Sequence, residues 1–129
     1  MSEAENASWP TEIRLSADRR TLIVAFEGGF RTELPAEYLR VESPSAEVRG
    51  HSPAERKTVP GKRDVEIRAV EPVGNYAVKL VFSDGHSTGI YGWPFLAELG
   101  RRHDEIWGAY LEQLAAQSLS RDPPGRPTR

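Results

Sequence analysis

The sequence predicts an α+β protein, rich in β structure, with antiparallel strands in one or two small sheets packed against C-terminal helices. Three observations predict it. In the run from Tyr76 to Tyr91, residues Tyr76, Val78, Leu80 and Phe82 alternate at period two, Asp84-Gly85 supplies a two-residue reversal, and a return strand follows. A second alternation runs from Ile13 to Leu34, broken by turn residues. After Tyr91 the apolar residues recur three and four apart, which is helical spacing.

The elements follow in order. Residues 1–8 lack apolar periodicity and are expected to form a disordered tail, so the folded domain is placed at 9–117. Ile13 and Leu15 alternate before Asp18-Arg19-Arg20, then Leu22, Val24 and Phe26 before Glu27-Gly28-Gly29, then Phe30, Thr32 and Leu34. Three short strands with tight connections predict an antiparallel meander. Pro35 to Arg40 reads as a helical turn with Pro35 near its start. From Glu42 to about Arg63 the pattern gives way to Ser, Pro, Gly and charge, a loop of the length that is usually functional or mobile. Alternation resumes from Val65 to Val70, is interrupted by Glu71-Pro72-Val73-Gly74-Asn75, and returns in the hairpin. Pro94 suits the first turn of a helix that Gly100 would stop. A longer helix follows, with Asp104 and Glu105 at its positive end and Ile106, Trp107, Tyr110, Leu111 and Leu114 as one apolar stripe, expected to pack on a sheet face. From Ser118, the prolines at 123, 124 and 127 predict a disordered tail over 118–129.

Composition bounds the function. At 129 residues and 38% hydrophobic content the chain supports one core, and a net charge of −2 provides no global field for nucleic acid or an anionic membrane. The absence of cysteine excludes disulfides, thiolate metal sites, cysteine-held clusters and a cysteine nucleophile. An acidic start, with no basic leader and no apolar run long enough to cross a membrane, predicts a soluble cytoplasmic protein.

His86 is the residue most like a site, and its position at the start of the return strand puts it on the face of Val81 and Thr88, opposite Leu80. It fits three roles: metal ligand, proton carrier, or turn residue bonding the hairpin backbone. His51 and His103 would have to converge with it to make a three-nitrogen site, and no His-x-Glu, His-Glu-x-x-His or His-x-x-x-His spacing supports that. Ser83, Asp84, His86 and Ser87 are neighbours along the chain, but side chains of a tight turn point apart and do not make a triad. Arg49, Arg56, Lys57, Lys62 and Arg63 make the long loop basic without the aromatic residues that stack bases, and Pro60-Gly61-Lys62 lacks the rest of a nucleotide-binding loop. Trp93, with Tyr91 and Phe95, belongs by default to the core, or in part to a partner surface.

Three segments resemble a known family: Leu39 to Val48, Val70 to Ala77 with its Glu-Pro-Val-Gly-Asn-Tyr, and Asp84 to Tyr91 with Trp93 following. They are similar to the gamma-butyrobetaine hydroxylase-like N-terminal domain, a small bacterial family without an established function. In the hydroxylases this domain precedes a separate iron and 2-oxoglutarate oxygenase domain and carries zinc on three cysteines and one histidine. The resemblance implies no transfer of the hydroxylation, because the chain is read as lacking the oxygenase domain. It places the three cysteines on Ser43, Ser45 and Val48 and the histidine on His86, so three of the four ligands are replaced and no metal or other cofactor is expected. The same domain is also fused to Mrp-type ATPases that carry iron-sulfur clusters, which implies such an ATPase as a protein partner. The expectation is therefore a non-catalytic binding or adaptor module, not an enzyme, with His86, Trp93, Arg49, Arg56, Lys57 and Lys62 as its interaction surface and neither membrane nor nucleic acid as a partner. A metal-binding accessory protein linked to iron-sulfur cluster delivery is the alternative, and an enzyme with an unrecognised site is the second. Deleting residues 104–117 is expected to unfold the domain, because the apolar stripe goes with them; an unchanged thermal midpoint of the truncated protein would refute that packing.

Overall fold

Alternating residues in the first third of the chain make three strands, β1 (Pro10–Leu15), β2 (Thr21–Phe26) and β3 (Arg31–Pro35), that pair antiparallel in the order β1-β2-β3. This is the expected meander. The computed structural model describes residues 9–45, 48 and 57–123; the expected N-terminal tail at 1–8 lies outside them. Leu22, Val24 and Leu34 are fully buried on the inner face of this sheet, with Phe26 beside them.

Pro35 holds extended backbone (φ −62°, ψ 146°) and caps α1 (Ala36–Val41), a helix of six residues with only Arg40 short of full burial. The second sheet is β4 (Ile67–Val73), β5 (Ala77–Phe82) and β6 (Ile90–Gly92), antiparallel in the order β4-β5-β6. Two expectations change here. β4 runs through Pro72 to Val73, because it is an edge strand, where a proline is tolerated. Tyr76, expected to share the buried face of Val78, Leu80 and Phe82, instead lies in the β4–β5 connection and is exposed, while the other three are buried.

The hairpin after β5 is also built differently from the expectation. The Phe82 N–H donates to the His86 carbonyl (2.9 Å) and the Gly85 N–H to the Phe82 carbonyl (3.0 Å), so Ser83, Asp84 and Gly85 form a three-residue loop, with Gly85 at φ +92°. At His86 the additional loop residue moves the pairing by one and so exchanges its face, whereas from Lys79 and Ile90 onward the strands pair in the register of a two-residue turn. His86 therefore stands opposite Phe82, ring centroids 6.2 Å apart, on the inner face and not on that of Val81. Regular pairing of the return strand is confined to residues 90–92.

Pro94 lies in the first turn of α2 (Trp93–Arg101), as its fixed φ favours. Gly100 does not stop this helix. It lets α2 approach β3: a Cβ there would sit 2.7 Å from Thr32 Oγ1 and 2.8 Å from Thr32 Cγ2. Helix α3 (His103–Ala116) starts with Asp104 and Glu105 in its first turn. Its apolar stripe divides: Tyr110 and Leu114 meet Val41 of α1 and Val59, while the partly buried Ile106 and Trp107 pack against the main core to which both sheets contribute. Leu111 falls at the edge of that stripe and is exposed.

Residues 118–123, expected to begin a mobile tail, are instead held against the body. The Gly61 and Arg63 N–H groups donate to the carbonyls of Ser120 and Arg121 (both 2.9 Å), and Arg121 makes a bidentate pair with Glu37 of α1 (2.7 and 2.8 Å) while lying over the Trp107 ring. Residues 124–129 lie outside the described ones.

One apolar core joins these parts. Leu22, Val24 and Leu34 from the first sheet, Ile67, Leu80 and Phe82 from the second, and Leu39, Leu96 and Leu99 from the helices form a single buried cluster. Among the described residues the architecture is an α+β fold of two small antiparallel sheets and three helices. Gly100→Ala is expected to lower stability by about 1–3 kcal/mol, since the overpacking against Thr32 outweighs the roughly 1 kcal/mol gained in helix propensity. Urea unfolding checks this, and an unchanged or raised midpoint would show that α2 and β3 can separate at little cost.

Candidate functional site

Two stretches far apart in sequence meet where the chain leaves α1 and where it turns after β5. Glu42, Ser43, Ser45 and Val48 on one side and His86 on the other are all buried. Ser43 is fully enclosed and His86 is 8% exposed, and Ser43 Oγ and His86 Nε2 are hydrogen-bonded at 3.0 Å. The same Oγ accepts the Ser45 N–H (3.2 Å), Ser45 Oγ is hydrogen-bonded to Thr88 Oγ1 (2.7 Å), and the Val48 N–H donates to the Ser45 carbonyl (3.0 Å). Gly89 makes room for this: a Cβ at that position would collide with Ser43 Oγ and crowd Tyr91. The four positions onto which the resemblance places the hydroxylases' zinc ligands, 43, 45, 48 and 86, thus belong to one cluster.

The present side chains do not fit a zinc ion. Valine donates nothing, neutral serine hydroxyls are poor zinc ligands, and the hydroxyls of Ser43 and Ser45 are engaged with His86 and Thr88. Among the described residues, no three His, Cys, Asp or Glu side chains stand close enough to hold a metal ion. His103 lies on α3 against Tyr38 and Trp107, not beside His86, and His51 lies outside the described residues.

An ion-pair group flanks the cluster. Asp84 Oδ1 accepts the His86 N–H (3.0 Å), and its Oδ2 accepts from Arg40 Nε of α1 (2.8 Å) and from Lys62 Nζ (2.6 Å). Burial alone would raise the Asp84 carboxyl, but the hydrogen bonds from Lys62, the His86 N–H and Arg40 outweigh it and hold the pKa at about 2. The carboxylate therefore stays charged and fastens the hairpin loop to α1. Sequence reading missed this contact; Arg40 and Asp84 are far apart along the chain, and only the Asp-Gly turn marked one end of it.

The expected interaction surface is only partly at the surface. His86 and Trp93 are interior, at 8% and 9% exposure, and the Trp93 Nε1–H donates to the Asn75 carbonyl (2.9 Å). Lys62 is drawn into the Asp84 pair, Lys57 is exposed, and Arg49 and Arg56 lie outside the described residues. Ser83 takes no part in a triad either, since its Oγ accepts the Glu66 N–H (2.9 Å). No helix among the described residues is long and apolar enough to cross a membrane.

Fold and cluster together define a small two-sheet α+β domain whose buried polar residues are bonded to one another. The chain belongs to the gamma-butyrobetaine hydroxylase-like N-terminal family, whose model matches residues 13–97. It is similar to two proteins with solution NMR structures, one 42% identical, covering 93% of this chain and 94% of the other with a TM-score of 0.78, and one 40% identical, covering 100% and 98% with a TM-score of 0.78. It is also similar to a crystal structure of a protein of unknown function from Acidithiobacillus ferrooxidans, assigned to the DUF971 family, at 40% identity, 73% and 94% coverage and a TM-score of 0.61. No curated protein matches the chain.

Because the folded pKa of Asp84 lies below the ordinary value of 3.8, its stabilisation is full above about pH 4 and is lost as the pH falls through about 2. Its size is about 2 kcal/mol at most. Asp84→Asn is therefore expected to unfold more easily at neutral pH and to show a shallower loss of stability from about pH 4 to 2 than the parent protein. Urea midpoints across that range test it; parallel acid profiles of the two proteins would contradict the assignment.

Proposed function

We propose that this chain is a non-catalytic binding module that docks on a protein partner. The observation that carries the reading is how the polar groups are spent. The imidazole and hydroxyls that would have to serve a reaction are hydrogen-bonded within the cluster, whereas large apolar side chains stand in solvent at this sheet: Tyr76, in the β4–β5 connection, is 57% exposed and Ile90, on β6, 47%. The carbonyl of Tyr76 receives the Trp93 N–H, and Ile90 pairs with Lys79. Both residues therefore sit on rigid backbone, the condition under which an exposed aromatic and an aliphatic side chain act as anchors at little entropic cost. Lys79 and Glu71, ion-paired at 3.3 Å beside Ile90, supply the polar rim that such patches carry.

Family analogy names an Mrp-type iron-sulfur carrier ATPase as the first partner to try, with the chain acting as a docking element rather than as a cluster ligand. The test is binding of the purified chain to that ATPase by titration calorimetry, together with affinity capture and cross-linking from a cell extract. Tyr76→Ser with Ile90→Ser, in a protein whose thermal midpoint is unchanged, is expected to weaken capture of the partner by about tenfold or more. Capture that is indifferent to this pair, or turnover of a small molecule by the purified chain, would overturn the reading.

A further inference from the structure

We infer that the cluster at Ser43, Ser45 and His86 is a metal-free clasp, in which side-chain hydrogen bonds do for this chain what a bound cation would do with a thiolate donor set. After α1 the chain runs through Glu42 to Ser45, a stretch without regular structure whose residues are nonetheless almost wholly buried apart from Pro44. A buried irregular segment needs specific partners for its polar groups, because each one left without a partner would cost on the order of a hydrogen bond or more.

The N–H groups of Glu42 and Ser43 are met within α1, at the Tyr38 and Arg40 carbonyls, and the partners of the serine side chains come from the opposite hairpin. Ser43 Oγ meets His86 Nε2 at 3.0 Å and Ser45 Oγ meets Thr88 Oγ1 at 2.7 Å, two parallel links between residues 43 and 45 on one side and 86 and 88 on the other. The segment is also closed on itself, by the Ser45 N–H on Ser43 Oγ and the Val48 N–H on the Ser45 carbonyl. Its approach to the hairpin depends on Gly89, whose missing side chain leaves the space that Ser43 Oγ occupies. On the hairpin side the loop is set by Asp84, which binds the His86 N–H with one oxygen and Arg40 and Lys62 with the other. These contacts are made by hydroxyl, imidazole and backbone groups and by the ion pairs of Asp84 with Arg40 and Lys62. Val48, at the fourth position, contributes a buried isopropyl group where a ligand would need a donor atom. The disagreement between these residues and a zinc site is thus a substitution of one kind of cross-link by another.

Two measurements test the clasp. In the first, protein produced in zinc-supplemented medium is assayed for bound metal, and its thermal midpoint is recorded with chelator and with equimolar added zinc. Substoichiometric metal and a midpoint that neither treatment moves are expected. Stoichiometric zinc that disappears on His86→Ala, or a midpoint raised by zinc, would overturn the inference. In the second, Ser43→Ala, His86→Ala and the double variant form a mutant cycle. Each single change is expected to lower the midpoint by about 3–6 °C, with the double change costing clearly less than the sum. Fully additive losses would show that the two side chains are not coupled, against the proposal. Should His86→Ala fail to fold, Ser45→Ala with Thr88→Val gives the same cycle at the second link, where additivity again counts against the clasp.

Discussion

A six-residue helix buried in the common core constrains the rest of this molecule. Such a helix cannot satisfy its own terminal backbone groups, and α1 has no side-chain cap at its start. Its polar groups are met from outside, one element at a time. The Tyr91 hydroxyl donates to the Leu39 carbonyl (2.6 Å), the Tyr38 hydroxyl donates to the Leu99 carbonyl (2.7 Å), Arg121 pairs with Glu37, and Arg40 reaches Asp84. Through these contacts β6, α2, the segment after α3 and the β5–β6 loop are all referenced to α1. The Tyr110 hydroxyl adds a bond from α3 to the Val59 carbonyl (2.6 Å), and burial pushes its pKa up to about 12, so it remains a donor at any physiological pH.

The cluster of serines and His86 is a consequence of that arrangement. The chain leaves α1 in the interior and continues through Glu42 to Ser45 without regular secondary structure. Where the hydroxylases use thiolates and a metal, the present chain has Ser43, Ser45, Val48 and His86, and the small side chains close the gap themselves. A histidine in this setting spends its nitrogen on holding two segments together. Among the described residues, Tyr76 and Ile90 are the most exposed large apolar side chains.

How far the sequence could be read differed by element, for physical reasons. The β1–β2–β3 meander was legible because its alternation and turn residues act over a few positions, and the helices because Pro94 and the spacing of Trp107, Tyr110 and Leu114 are local too. Tyr76 was misplaced because period two counts residues but does not say where a strand ends. Gly100 resembled a stop signal, yet its role is contact with Thr32, a residue far away in sequence. The docked residues Ser120 to Asp122 carried no apolar signal at all, since backbone hydrogen bonds and an arginine-glutamate pair hold them.

The amino-acid sequence by itself determined the fold class, the order of strands and helices and the family, because periodicity, turn chemistry and the Glu-Pro-Val-Gly-Asn-Tyr and Asp-Gly-His motifs are properties of short segments. It also determined that no thiolate could serve any site. Only the tertiary structure decided which way His86 faces, since that rests on whether the loop before it holds two residues or three. Only the tertiary structure, too, brought Ser43 and Ser45 to His86 and Thr88, because such meetings join segments more than forty residues apart and no local pattern encodes the distance between them.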